Sequence, residues 1–180
     1  MAVRKVIFVD DERLRQKAQK ITQFTPQLNQ LAQDMLETMR SYHGVGLAGP
    51  QIGMMQRIFV AQIPAGRDNG QPPQPSQTYI LINPQILKTS LELVEGEEGC
   101  LSIPGWQGLV ARPGWVEIKA QDETGRSFKL RADNLLARIF MHELDHLNGV
   151  LYTDHIKDPD KLWQLETEEA EPAVPAEAAS

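Results

Sequence analysis

The stretch NLLARIFMHELDHLNG, residues 134–149, decides how the rest of the chain is read. Leu135, Leu136, Ile139 and Phe140 recur at helical spacing, Asp133 stands where an N-terminal cap belongs, and Gly149 stands where a helix stops. On that helix His142 and His146 are separated by about 40° around the axis and one turn along it, so both imidazoles reach one point in space. Glu143 sits beside the first histidine, placed to touch a water at that point rather than a metal itself, which is the logic of HExxH. A catalytic metal site usually has three protein ligands and one open position, so two histidines leave it one ligand short. Histidine pairs on a solvated helix face also occur by chance, and the third ligand therefore carries the argument.

Three residues compete for that place. The extended pattern HExxHxxGxxH accepts Gly149 but finds Tyr152 where its third histidine belongs. A zinc endopeptidase of the thermolysin type takes a glutamate from a following helix, and Glu166 lies at a suitable distance downstream, although WQLETEEA makes a poor rigid helix. Cys100, in EEGCLSIPG, has the better case: Gly99 lets the backbone turn sharply before it, and a metal would hold its sulfur as thiolate. Cys100 is also the sole cysteine, which excludes an intrachain disulfide. Taken alone, such a cysteine reads as a small buried hydrophobe. A non-enzymatic alternative closes the fourth position with Asp145 or His155. Asp145 is expected instead to form a salt bridge, with Arg112 as partner.

A second stretch bears on the choice. GVGLAGPQIG, residues 44–53, contains a formal GxGxxG, but a helix precedes it and Pro50 follows Gly49 where a phosphate-cradling helix would begin. Its glycines are better suited to bringing backbone close to a substrate, with Gln51 as a polar side chain aimed into the same space.

Around these stretches, Leu28, Leu31, Ala32, Met35, Leu36 and Met39 share one face of a helix over Pro26 to Tyr42, stopped by Gly44 and Gly46. Arg57 to Ile63 and TYILINPQIL read as strands, separated by the Gly/Pro/Gln-rich loop AGRDNGQPPQPSQ. Shorter extended pieces follow at Ser90–Val94, Gly108–Val110, Val116–Ala120 and Ser127–Leu130, with a turn at Asp122–Gly125. The expected class is α+β, with short antiparallel strands surrounding a central helix that carries HExxH.

Composition agrees with one globular domain: 180 residues, 41% hydrophobic and 23% charged. No apolar run approaches the ~20 residues that span a bilayer. The apolar run Val6–Val9 is shorter than a signal-peptide core of roughly 7–15 residues and ends at Asp10 and Asp11. It reads as an extended segment leading into a short helix, and with no export signal the default compartment is the cytoplasm. The formal charge is −6, and residues 166–180 contribute five glutamates and no base. That Ala/Pro/Glu tail is expected to be disordered, which makes residues 1–165 a single catalytic metallohydrolase domain. Neither part shows the clustered Lys and Arg of a nucleic-acid-binding surface.

With these motifs in hand, the chain resembles the peptide deformylases. GVGLAGPQIG, EGCLS (Glu98 to Ser102) and HELDH stand in the order of that family's three motifs, and the likeness runs over roughly residues 1–160, including DERLR near the start and INP at Ile82–Pro84. The resemblance implies a hydrolase that removes the formyl group from N-formylmethionyl nascent peptides and releases formate. It implies that Cys100, His142 and His146 hold one divalent ion, with Fe2+ the first choice and Zn2+, Ni2+ or Co2+ as alternatives. By the same likeness Glu143 is the general base, and Gln51 with the backbone N–H of Leu101 forms the oxyanion site. Val45, Gly46 and Gly99 would pair with the substrate backbone, while Val45, Leu135, Arg138 and Ile139 would lie near the methionine side chain. The implied setting is transient association with ribosomes, without direct nucleic-acid binding or membrane attachment. There are departures from the pattern. Gly49 replaces a common alanine, which is expected to loosen the loop carrying Gln51; Met141 stands where glutamine is frequent; and Gln107 stands where some members carry arginine. The acidic C-terminal segment also lacks the basic helix with which some members would dock on ribosomal RNA.

Overall fold

The computed structural model describes residues 2–65 and 76–166. Helix α1 (Pro26–Ser41) is followed by strands β1 (Gly46–Ala48), β2 (Ile58–Ile63) and β3 (Gln77–Thr89). Strands β4 (Leu93–Cys100), β5 (Ile103–Pro113), β6 (Trp115–Gln121) and β7 (Ser127–Asp133) then lead into helix α2 (Asn134–Leu147), and β8 (Leu162–Gln164) comes last. The strands form two antiparallel sheets, one of five in the order β1-β2-β3-β6-β7 and one of three in the order β4-β5-β8. The α+β class is as expected. Most of the Gly/Pro/Gln-rich loop and the tail beyond Glu166 lie outside the described residues.

Strand β2 shows why the large sheet forms. Its side chains alternate between two faces, and both faces are covered. Ile58 and Val60 pack with Leu28, Leu31, Met35 and Met39 of α1. Phe59 and Ala61 pack with Phe140, Leu144 and Leu147 of α2. A strand buried on both faces carries an unbroken apolar run, which is what IFVA is. On the α2 side, the fully buried Phe140 ring sits 5.5 Å from Phe59 and 5.4 Å, edge-on, from Tyr79. Truncating such a ring typically costs about 3–5 kcal/mol.

Several local expectations need correction. The left-handed residue that ends α1 is His43 (φ 56°), with the Gly44 N–H donating back to the Met39 carbonyl, so the helix stops on a histidine. A Cβ at Gly44 would lie 2.8 Å from Leu101 Cδ1, so a larger residue there would have to move the tip of that side chain. Asp133 occupies the cap position of α2 but makes no capping hydrogen bond; its carboxylate pairs with Arg131. Ser90–Glu92 forms a turn rather than a strand start, and β4 runs on through Glu98 and Gly99. Gly99 is therefore an extended residue paired with Gln107, and the sharp turn falls after Cys100, at Leu101 and Ser102. The N-terminal run Val6–Val9 joins neither sheet. Its Ile7 and Val9 N–H groups donate to the carbonyls of Gln51 and Ser102, so it buttresses the loops that carry the site.

The INP segment breaks β3 at Asn83, which takes φ 52° and interrupts the register with β6 between Ile82 and Gln85. Asparagine tolerates this region better than most residues. Its side chain accepts from the Ile21 N–H at 2.9 Å and donates to the Ile21 carbonyl at 2.8 Å and to Gln121 Oε1 at 2.7 Å. Asn83→Ala would leave both backbone groups of Ile21 without partners. A stability loss on the order of 2–5 kcal/mol is expected in urea unfolding, and a loss below about 0.5 kcal/mol would show that these bonds are dispensable.

Candidate metal centre

Helix α2 presents His142 and His146 on one flank, and the end of β4 brings Cys100 against them. Their donor atoms all lie within 4.8 Å of one another. Cys100 Sγ is 3.2 Å from His146 Nε2. The two rings meet edge-on with centroids 5.0 Å apart, and Tyr152 stacks on His142 at 6.0 Å. Tyr152, the residue at the third-histidine position of the extended motif, is thus a packing partner of the site, its hydroxyl donating to the Trp106 carbonyl.

Glu98 sets the orientation of His142. A carboxylate only accepts, so His142 Nδ1–H donates to Glu98 Oε2 at 2.9 Å, and Nε2 is left for the cluster. Arg112 grips the same carboxylate in a fork, Nε to Oε1 at 2.8 Å and Nη2 to Oε2 at 2.9 Å. Burial would raise the Glu98 pKa, but the hydrogen bonds from Arg112 and His142 outweigh it and hold the group far below the usual carboxylate range. Glu98 received no role from sequence, although β-strand alternation puts it on the same face as Cys100, two residues later. Asp145 joins Arg112 at 2.6 Å, as expected, and also His155 at 2.7 Å. Both groups that could have closed a structural site are engaged there.

The two histidines are driven apart electrostatically. Burial would lower the His142 pKa, but hydrogen bonds with Cys100 and Glu98 prevail and hold it well above 6.5. His146, buried and beside that cation, is held well below 6.5. Without a metal, then, the site carries its positive charge on His142. Among the described residues, two buried side-chain polar atoms have no protein partner, His146 Nδ1 and Glu143 Oε2. A soft sulfur, two imidazole nitrogens and an unpartnered carboxylate oxygen suit a transition-metal ion with an open position.

Glu143 is wedged against β1. A Cβ on Gly46 would stand 2.2 Å from Glu143 Oε1, so glycine at that position makes room for the carboxylate. Burial is the main cause that raises the Glu143 pKa, from 4.5 to about 7. Gln51 lies in a 3-10 turn (Gly49–Ile52) after β1. Its Oε1 accepts from the Ala48 N–H at 2.8 Å, which turns the amide nitrogen to within 3.5 Å of Cys100 Sγ and 3.3 Å of Ser102 Oγ. Gly49 does not loosen this turn. A Cβ there would meet the carbonyls of Gln56 and Met54 at 2.7 and 2.8 Å, so the position is filled by close backbone packing.

A cavity of about 480 Å³ opens beside the cluster, bordered by Val45, Gly46, Gly99, Leu101, Leu135 and Ile139. Arg138 borders it too, but its guanidinium is turned to Glu98 and to carbonyls of β4 and β5. Strands β1 and β4 are each the edge of their sheet, and residues flanking both border this cavity. Gln107 lies on the same wall. Glu166 is exposed, follows β8 rather than lying on a helix, and is outside the Cys/His/His group. Among the described residues no helix is long and apolar enough to cross a membrane.

Comparison with known proteins agrees with this geometry. The profile of the polypeptide deformylase family matches residues 3–162. The peptide deformylase of Thermomicrobium roseum is 46% identical over 176 residues, covering 98% of each chain. That of Chloroflexus aurantiacus is 42% identical over 93% of this chain and 95% of its own. Among solved structures, the Thermotoga maritima peptide deformylase superposes with a TM-score of 0.78 at 35% identity, over 88% of this chain and all of that one. The Synechococcus elongatus enzyme in complex with actinonin gives 0.76 at 40% identity, over 87% of this chain and 82% of that one. A profile spanning nearly the whole described chain, with relatives at this identity and coverage, shows that the chain belongs to the polypeptide deformylase family.

Proposed function

We infer that the protein is a metal-dependent hydrolase that removes the N-formyl group from the formyl-methionine of newly made polypeptides, releasing formate. The observation that carries this reading is the Cys100, His142 and His146 group, at the wall of a cavity that also receives Glu143 and Gln51. Those three residues would hold one divalent ion. Thiolate softness suits Zn2+ and Fe2+ alike; the likeness to the family puts Fe2+ first, with Zn2+, Ni2+ or Co2+ as alternatives. When bound, the ion supplies Lewis-acid activation of water at neutral pH.

The chain's own groups account for the rest. Glu143 takes a proton from the attacking water as its oxygen adds to the formyl carbon. When the C–N bond breaks, the same carboxyl returns a proton to the departing amine, leaving formate and a free amino terminus. Burial, the main cause that raises the Glu143 pKa in the metal-free protein, favours a carboxyl able to hold the proton between the two transfers. The Gln51 side-chain amide and the Leu101 N–H would donate to the oxyanion. Val45, Gly46 and Gly99, at the sheet edges, offer backbone groups to an extended peptide. Leu135 and Ile139, with Val45, supply the apolar wall for the methionine side chain. Formylated amino termini arise at the ribosome, so transient association there in the cytoplasm is the setting this substrate implies.

Glu143→Gln should keep its metal but release formate from formyl-Met-Ala-Ser at least ~100-fold more slowly, while the parent enzyme leaves acetyl-Met-Ala-Ser nearly untouched. An unchanged rate in the variant would remove Glu143 from the mechanism. Glu166→Ala should retain full metal content and rate, whereas an endopeptidase relying on Glu166 would lose both. In metal-free protein the raised Glu143 pKa means that the native state holds a proton the unfolded chain gives up above about pH 4.5. Stability from this group is therefore full below pH 4.5 and is lost as pH rises through about 7, by on the order of 3 kcal/mol. Between pH 4 and 8, the difference in stability between metal-free parent and Glu143→Gln, measured by denaturation, should follow this slope, the histidine titrations contributing to both proteins.

A further inference from the structure

Arg138 belongs to the wall of the cavity, yet its charge is directed elsewhere. Its Nη1 donates to Glu98 Oε1 at 2.8 Å and to the Val110 carbonyl of β5 at 2.8 Å, and lies 3.3 Å from the Gly96 carbonyl. Its Nη2 donates to the Val94 carbonyl of β4 at 2.7 Å. The guanidinium lies against Gly96, where a Cβ would stand 2.8 Å from Nη2 and 2.9 Å from Cζ. One side chain thus ties the helix that carries both histidines to the strand that carries Cys100.

The same contact completes the shell of Glu98. A carboxylate offers about four acceptor positions. Here Arg112 fills two, His142 Nδ1 a third and Arg138 the fourth. Arg112 approaches from β5, and its Nη1 also bonds Asp145 at 2.6 Å. Arg138, approaching from α2, takes the remaining acceptor position of Glu98 and is itself anchored to the backbone of both strands. Its side chain is only 13% exposed, so these bonds are little weakened by solvent.

We propose that Arg138 is a positioning residue for the metal centre: by holding Glu98 between β4, β5 and α2, it fixes the His142 ring and the spacing of His142 from Cys100. The inference rests on the metal reading given above. It differs from the part the resemblance implies for Arg138, since contact with the methionine side chain would not engage the guanidinium. Residues that orient a metal-ligating histidine typically govern metal affinity.

Two variants test it. Arg138→Gln removes the cation, and Gly96→Ala keeps the cation but pushes it off its seat. Each is loaded with one equivalent of Co2+ for its absorption spectrum and titrated with Zn2+ against a chelator, and the unfolding of each metal-free protein is followed in parallel. Zn2+ affinity should fall roughly 10- to 100-fold in Arg138→Gln, and less in Gly96→Ala, with the cobalt bands shifted in both. If Arg138→Gln does not fold, Gly96→Ala decides alone. Wild-type affinity and spectrum in folded variants, even with lowered thermal stability, would make Arg138 a structural staple only and overturn the proposal. A parent protein that binds no stoichiometric metal would instead bring down the metal reading itself, and this inference with it.

Discussion

The small sheet and helix α2 meet on the Glu98 carboxylate, and the site depends on that meeting. Cys100 comes from a strand and the histidines from a helix, so nothing in either element alone sets their separation. Glu98 does, because it is on the Cys100 face of β4 and bonds to His142 and Arg138 of α2 as well as Arg112 of β5. A buried ion cluster of this kind is poor evidence for stability, since desolvation offsets much of the attraction. Its value lies in geometry: removing one member strands the others, so only one arrangement of helix and strand keeps every charge partnered.

The same carboxylate arranges the local electrostatics. Two glutamates lie within the site, and their surroundings push them in opposite directions. Glu98, gripped by donors, stays ionised across the working range, whereas Glu143, buried and with one oxygen unpartnered, titrates near neutrality. Environments that separate like groups in this way mark which one carries protons and which one holds structure. The histidines divide similarly, His142 sharing its proton with Glu98 while His146 stays neutral. With its Nδ1–H committed to Glu98, His142 has only Nε2 to offer to an ion held with Cys100 and His146.

Sequence and structure agree where burial imposes a period. Both helices were legible because their apolar residues recur at helical spacing, and β2 was legible because it is buried on both faces. Strands β4 and β5 were read only in fragments. LVEGEEGC is a charged edge strand without the apolar alternation that marks a half-buried strand, and β5 carries Pro104, Gly105 and Gly108, which read as breaks. Cys100 was singled out by its motif, and no periodicity could have shown that it meets the histidines. Glu98 was within reach of strand alternation, had β4 been recognised as a strand. The guanidinium contacts of Arg138 were out of reach, because they end on backbone carbonyls of strands distant in sequence, and carbonyls leave no mark on residue type.

The glycines complete this account, because three of them in GVGLAGPQIG are there to admit particular neighbours. Gly44 admits Leu101, Gly46 admits the Glu143 carboxylate, and Gly49 admits the backbone at Met54 and Gln56. The loop was read as bare so that a substrate could approach. Within the protein, it is bare so that the Glu143 carboxylate, the turn after Cys100 and the Gln51 turn can crowd onto one short segment. That crowding leaves β1 only three residues long and at the edge of its sheet. Packed from behind by Glu143, this short edge strand borders the same cavity as Glu143 and Cys100.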